Sequence, residues 1–423
     1  MNRRGLFFYV LVVIVIVLSA LVFENHKQMS PVFTAPFFSG AANFDYEKGW
    51  RFSEQEYWSF ESLSNGEKEN FRFKPMPEAS LMPYRHYNSG YLYIIMVAKK
   101  LFFWLADIKA IKYFQVLSHI LLSLMLCSRI NNRLGQLAFV ALYAVNPLVI
   151  YFVTFPFLYF WQVLPSAIFA LLLLSGFQIK PYQAGLFGLF TAVAFCTRPT
   201  VVLVVALIGV FLFLKVNVRA GLIYLVTFAG VTLILFEKAE NKSLWHTVYI
   251  GVGAYPNPYM QGLTDNNGYA LYRRHIGESL SVSIGGNFYT KEVFERYNHL
   301  LLDKYMQIVR QDLLLIIKNA FINFLQSFSV GYFVNAPVWV NYLSAGVGAI
   351  FLALLCIRKQ FLWIMAIALN SLAFTPYFPP IQAYMFGGYI LLVCAFVAQF
   401  QSFFQNFNFP KSFAKPILFP NRQ

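Results

Sequence analysis

The chain has 423 residues, of which 58% are apolar and 12% charged, with a formal charge of +15. A soluble domain carries about 25% charged residues, so this composition excludes a water-soluble globule. An aromatic content of 19% also excludes a disordered chain. The composition fits a polytopic membrane protein whose apolar runs are long enough to cross lipid.

Taken in chain order, the apolar runs predict spans at 5–23, 110–128, 136–154, 159–178, 182–197, 199–214, 220–236, 336–356, 360–377 and 383–400. The first run exceeds the core of a secretory signal and no small-residue cleavage motif follows, so it reads as an uncleaved anchor. Segment 89–106 is apolar but interrupted by Lys99 and Lys100. It reads as an interfacial helix whose lysines reach the headgroups. With both termini cytoplasmic, the inner loops and tails hold Arg3, Arg4, Arg129, Arg133, Lys180, Lys215, Arg219, Arg358, Lys359, Lys411, Lys415 and Arg422, and no acid. These basic inner segments follow the positive-inside rule, and all 18 carboxylates then fall outside, in 24–109 and 237–335. The expected fold is an all-α polytopic membrane protein of about ten transmembrane helices, with interfacial helices and two outer loops. Cys127, Cys196, Cys356 and Cys394 all lie in apolar runs and form neither a disulfide framework nor a zinc pattern.

The first outer region carries Asp45, Glu47 and Ser53-Glu54-Gln55-Glu56-Tyr57 among Trp50 and Trp58. Carboxylates among aromatic side chains suit a general base facing a sugar-like substrate. Segment 67–78 mixes both signs of charge and reads as plain surface. In Thr197-Arg198-Pro199-Thr200, proline divides one apolar stretch into two helices. Arg198 is the one charged residue between Lys180 and Lys215. An arginine at that depth is costly unless it meets an anion, and a lipid-linked phosphate matches its planar fork. His119, Asn146, Gln162 and Asn370 lie within spans, where helix-packing roles suffice. The second outer region runs from Trp245-His246 through Tyr255-Pro256-Asn257 to Asp265-Asn266-Asn267-Gly268-Tyr269. Its rings and amides suit carbohydrate contact. Gly251-Val252-Gly253 lacks the third glycine and the βαβ setting of a dinucleotide site. Residues 291–328 read as one helix whose 312–328 end lies at the membrane.

This organisation resembles the membrane-embedded C-type glycosyltransferases, nearest the protein O-mannosyltransferase and lipid A aminoarabinose transferase group. The likeness covers most of residues 1–236: one N-terminal span, an acidic outer loop ending in an interfacial helix, and the Thr-Arg-Pro-Thr turn. In that family the first loop carries an Asp-Glu pair followed by x-x-Tyr, with the Asp as base. Here Glu54 and Tyr57 fit the pattern but Ser53 replaces the Asp, so the implied base is Glu54, or Asp45 or Glu47 upstream. Asn88-Ser89-Gly90-Tyr91 is similar to the start of the family's interfacial helix. Relatives carry an acid shortly after the third span; Phe155–Gln162 has none, so no metal ligand is assigned and a divalent metal is left open.

The resemblance implies a polyprenyl-phosphate sugar as donor and a glycan, lipid or protein of the cell envelope as acceptor. Transfer would proceed with inversion at the extracytoplasmic face of a multi-pass protein of the bacterial inner membrane, with no role for nucleic acid. Arg198 would hold the donor phosphate, and Tyr57, Arg85, His86, His246 and Asp265 count as candidate substrate contacts. Residues 1–236 would form the catalytic module, 237–335 the second outer loop, and 336–423 the C-terminal helices and cytoplasmic tail. The competing expectations are an O-antigen polymerase or ligase, which Arg273-Arg274 would suit, and a lipid-linked glycan flippase.

Overall fold

A computed structural model describes residues 3–23, 31–45, 47–83, 88–236, 244–282 and 290–406. The chain begins with α1 (Arg3–Val22) and α2 (Pro31–Ala42). A two-stranded antiparallel ribbon follows, β1 (Arg51–Ser53) with β2 (Leu81–Pro83), in the register Arg51↔Pro83, Phe52↔Met82, Ser53↔Leu81. Between the strands lie α3 (Glu54–Glu61) and α4 (Asn65–Asn70). The bundle then comprises α5 (Ser89–Leu101), α6 (Asp107–Cys127), α7 (Arg133–Phe139), α8 (Pro147–Thr154), α9 (Val163–Leu174), α10 (Pro181–Thr197), α11 (Val202–Phe211) and α12 (Val218–Leu235). After it come α13 (Leu244–Gly251), α14 (Asn266–Ile276), α15 (Lys291–Gln311), α16 (Leu313–Gln326), α17 (Val338–Ile357), α18 (Phe361–Leu372) and α19 (Gln382–Asn406).

Among the described residues five helices are long and apolar enough to cross a membrane, or six if the bent pair α7–α8 is one span. Four further apolar helices are shorter. The arrangement is that of an all-α integral membrane protein, and three of its helices turn polar side chains inward and apolar ones outward. On α6, Gln115, His119 and Ser123 are fully buried while Leu117, Leu121 and Met125 face outward. On α16, Asn319, Asn323 and Gln326 point inward, and Leu314, Ile317 and Phe321 outward. On α17, Asn341 and Ser344 are buried, and Leu343, Val347 and Ile350 exposed. Water would drive the opposite sorting; lipid accepts apolar side chains and leaves polar ones to bond each other across helices. His119 Nε2 lies 2.9 Å from the Ala144 carbonyl. Asn370 accepts from Ser166 at 2.9 Å, and Gln162 donates to the Ala383 carbonyl. Asn146 Nδ2 reaches the Tyr389 hydroxyl at 3.3 Å.

Caps set most of the breaks. Asn146 accepts from Leu148 N at 2.9 Å and places Pro147 at the first position of α8, so the expected straight span 136–154 bends by 51°. Asp312 leaves helical geometry and accepts from Leu315 N, dividing the expected 291–328 helix into α15 and α16. Segment 89–106 also differs from expectation. Most of α5 is buried, and Lys99 does not snorkel: its ammonium donates to the buried Asp107 carboxylate at 2.8 Å, which also accepts from Phe73 N at 2.9 Å. The α2 helix is additional to the expected spans, and Phe37, Phe38 and Ala41 bury it against the rest of the chain.

Two ends of the bundle can be told apart by their contacts. At one end Arg133 lies over the Phe8 ring, 4.4 Å from its centroid. At the opposite end of α6, Asp107 accepts from Phe73 N of the first polar region, and Asn88 of that region bonds the Thr197 carbonyl next to Arg198.

Candidate functional site

Arg198 is the C-cap of α10. The following proline disfavours helical geometry there, and Arg198 is extended at φ −150° and ψ 100°. The turn is braced from α5: Asn88 Nδ2 donates to the Thr197 carbonyl at 2.9 Å, and Ser89 donates to the Leu235 carbonyl at 2.6 Å. Gly90 presses directly on the end of α10, where an added Cβ would lie 2.6 Å from Thr197 N and 2.7 Å from the Val193 carbonyl oxygen.

The Arg198 residue is 8% exposed. Its guanidinium carbon lies 4.1 Å from the Tyr384 ring centroid and 5.1 Å from that of Tyr159. The two centroids are 6.5 Å apart, so the cation occupies a corner between the rings, not a sandwich. Nε donates to Thr200 Oγ1 at 3.2 Å. Among the described residues Arg198 has no carboxylate partner, and its terminal amino groups have no hydrogen-bond acceptor. A cation held by ring faces and one hydroxyl keeps its bidentate edge available for an oxyanion.

A separate apolar groove of about 300 Å³ is lined by Phe114, Trp161, Leu164, Ile168, Leu171 and Phe187. On α10 its lining runs from Tyr182 and Gln183 to Phe190, the N-terminal half of the helix, and does not include Arg198.

The first polar region distributes its carboxylates unequally. Asp45 closes a turn: its Oδ1 accepts from Glu47 N at 2.8 Å and Lys48 N at 3.2 Å, and these amides hold its carboxyl below the usual range. Glu47 is exposed in that turn. Glu54 stands in the first turn of α3, where its Oε1 accepts from Trp58 Nε1 at 3.3 Å. Tyr57 is buried, and burial followed by the Glu61 charge pushes its phenol up. The most enclosed acid of the Ser53–Tyr57 stretch is Glu56, which accepts from Ser39 Oγ at 2.6 Å and Lys74 N at 2.9 Å. No hydrogen bond or ion pair joins Asp45, Glu47 or Glu54 to Arg198 among the described residues. Aromatic contacts connect the two regions: Phe37 of α2 meets Tyr91 and Phe157, and Phe157 meets Tyr159.

In the second polar region the structure joins two candidates. His246 Nε2 lies 3.2 Å from Asp265 Oδ1, and Nδ1 lies 2.5 Å from the Tyr297 hydroxyl. An ionised carboxylate only accepts, so Nε2 carries the proton and Nδ1 accepts from the phenol. The His246 ring stacks on Tyr269 at 5.2 Å. The hydrogen bond from His246 holds the Asp265 carboxyl below its usual range. Both ring nitrogens are thus engaged, and Tyr297 is fully buried. Tyr255, in the aromatic stretch read as a carbohydrate contact, is also buried and hydrogen-bonds Asn323 and Gln326, each at 3.0 Å. Arg85 and His86 lie outside the described residues. Among the described residues no group of three or more His, Cys, Asp or Glu converges as a metal site would.

Sequence reasoning misses Tyr159 and Tyr384 as neighbours of Arg198. Tyr384 comes from the far end of the chain, and no local spacing pairs it with the Thr-Arg-Pro-Thr turn. Comparison with family models, curated proteins and solved structures returned no match.

Proposed function

We propose that the protein is a glycosyltransferase that moves a sugar from a polyprenyl-phosphate donor to a cell-envelope acceptor at the outer face of the membrane, with Arg198 binding the donor phosphate. The observation that carries this reading is the Arg198 corner: a nearly buried guanidinium, unneutralised among the described residues and held by ring faces. A cation enclosed among apolar helices calls for an anion, and the apolar groove against the first half of α10 would take part of a prenyl chain. In this reading the Arg198 end faces outward, about ten spans cross the bilayer, and the short apolar helices count among them.

The chemistry follows from the charges. The acceptor oxygen attacks the anomeric carbon, its proton passes to a carboxylate, and the sugar–phosphate C–O bond breaks with both electrons going to the phosphate. Arg198 stabilises the charge gained by that leaving group. Glu54 is the proposed base: it accepts from the Trp58 indole at 3.3 Å, whereas Asp45 is engaged by two backbone amides and Glu56 by Ser39 and Lys74. Asp45 and Glu47 are the alternative bases, tested as Asp45→Asn and Glu47→Gln. Tyr57, His246 and Asp265 are assigned to shaping the surface around the acceptor.

The test is donor turnover in the full-length protein. Arg198→Ala is expected to lose about 10- to 100-fold in donor affinity or rate, the worth of one charge-assisted bond, with Arg198→Lys recovering part of it. Glu54→Gln is expected to lose about 10²-fold or more in turnover and keep donor binding. Wild-type kinetics for folded Arg198→Ala would leave the arginine as a headgroup anchor and remove the reading.

A further inference from the structure

We infer that Tyr384, at the start of the last helix, is a positioning residue for the Arg198 phosphate site, with Tyr159 as its partner. The inference rests on the proposed role of Arg198 and adds to it a contribution from the C-terminal helices, which lie outside the catalytic module expected from the sequence. Three observations carry it. First, the Tyr384 ring is closer to the guanidinium than that of Tyr159, 4.1 Å against 5.1 Å. Second, the ring is itself fixed, edge-on to Phe374 at 5.6 Å and tilted against Phe378 at 5.3 Å. Third, among the described residues one hydrogen bond, from Nε to Thr200, orients the cation, so a single torsional anchor holds a long side chain.

Two ring faces meeting at a corner restrict the guanidinium on two sides, and Thr200 restricts its Nε edge. The terminal amino groups have no acceptor among the described residues. The attraction is between cation and π-face, so the ring matters and the hydroxyl does not. Tyr384 therefore acts through Arg198, by lowering the freedom the side chain loses when an oxyanion binds.

Binding of dodecyl phosphate, a single-chain phosphate, to the purified full-length protein in detergent tests this. Inorganic phosphate serves as a second probe, to separate recognition of the phosphate from recognition of the chain. Tyr384→Phe should bind dodecyl phosphate within about twofold of wild type. Tyr384→Leu should bind about 5- to 30-fold more weakly, the range of a desolvated cation–π contact. Tyr159→Leu, the second variant should Tyr384→Leu not fold, should show a smaller loss in the same direction. In turnover, Tyr384→Leu should raise KM for the donor more than it lowers kcat, whereas a general loosening of the bundle would lower the folded fraction and leave KM unchanged.

The outcomes separate the two readings. If Arg198→Ala loses binding and both leucine variants retain it, the positioning role is wrong and the phosphate site stands. If Tyr384→Phe loses as much as Tyr384→Leu, the hydroxyl is the working group and the inference falls. If wild type and Arg198→Ala bind both probes equally, or neither binds, the phosphate site itself is wrong and the inference goes with it.

Discussion

Arg198 illustrates how a membrane interior makes single residues readable. One cation in a long apolar stretch is costly enough to require a reason, and its position ahead of Pro199 by itself marks a turn. Its ring partners were not legible, because a cation–π contact leaves no spacing in the chain. The His246–Asp265 pair was half legible: both residues stand out as polar groups among aromatics, but not that they would satisfy each other. That pairing has a consequence in acid. The Asp265 carboxyl is held below the value of about 3.9 expected in an unfolded chain. Its stabilising contribution is therefore present above about pH 4 and is lost as pH falls through the folded value. Thermal unfolding from pH 7 down to pH 3 should show wild type losing stability more steeply below about pH 4 than Asp265→Asn. Identical acid limbs would mean that the contact contributes nothing. At the same hub, an added Cβ on Gly268 would meet the Tyr297 hydroxyl and the His246 ring.

Among the elements, α5 shows the limit of hydropathy. Lys99 and Lys100 in an apolar run suggest a helix floating in the interface. Instead the Lys99–Asp107 ion pair lets α5 be enclosed, with Tyr91, Leu92 and Ile95 fully buried. A partner eight residues away across a turn is visible in the sequence only once the two helices are known to fold back on each other. The breaks at Asn146-Pro147 and Asp312 were written in the chain as capping residues. A window that averages hydropathy over a whole span passes over such local signals. The α2 helix was hidden for the opposite reason: it is short, apolar and contains Pro36. Helix contact also sets up the proposed site. Gly90 lets α5 meet the backbone of α10 at Thr197, one residue before Arg198. Gly90→Ala should separate the two helices, destabilising the protein by about 1–3 kcal/mol as overpacking does. It should also weaken dodecyl phosphate binding, although the residue touches no ligand. A folded Gly90→Ala protein with unchanged stability and binding would show that the α5 contact does not support the turn.

At the scale of the whole molecule, the fold class was legible because composition alone demands lipid, and the inside-out sorting of α6, α16 and α17 agrees with it. The number of crossings is less direct, since five or six helices meet the length and hydropathy of a span and four apolar helices are shorter. Sidedness supplies an independent test. With both termini inside, a cysteine placed at Ser64 should react with an impermeant reagent added outside intact cells, and one at Asn132 should not. Reaction at Asn132 would overturn the ten-span arrangement. Covalent transfer is what sets the proposed enzyme apart from a transporter, and following a radiolabelled polyprenyl-phosphate sugar in membranes that contain the protein decides between them. Label is expected to move into an envelope acceptor while free polyprenyl phosphate accumulates, and both processes should fall together in Arg198→Ala. Label that crosses the bilayer still attached to its original lipid would refute transfer and identify a transporter instead.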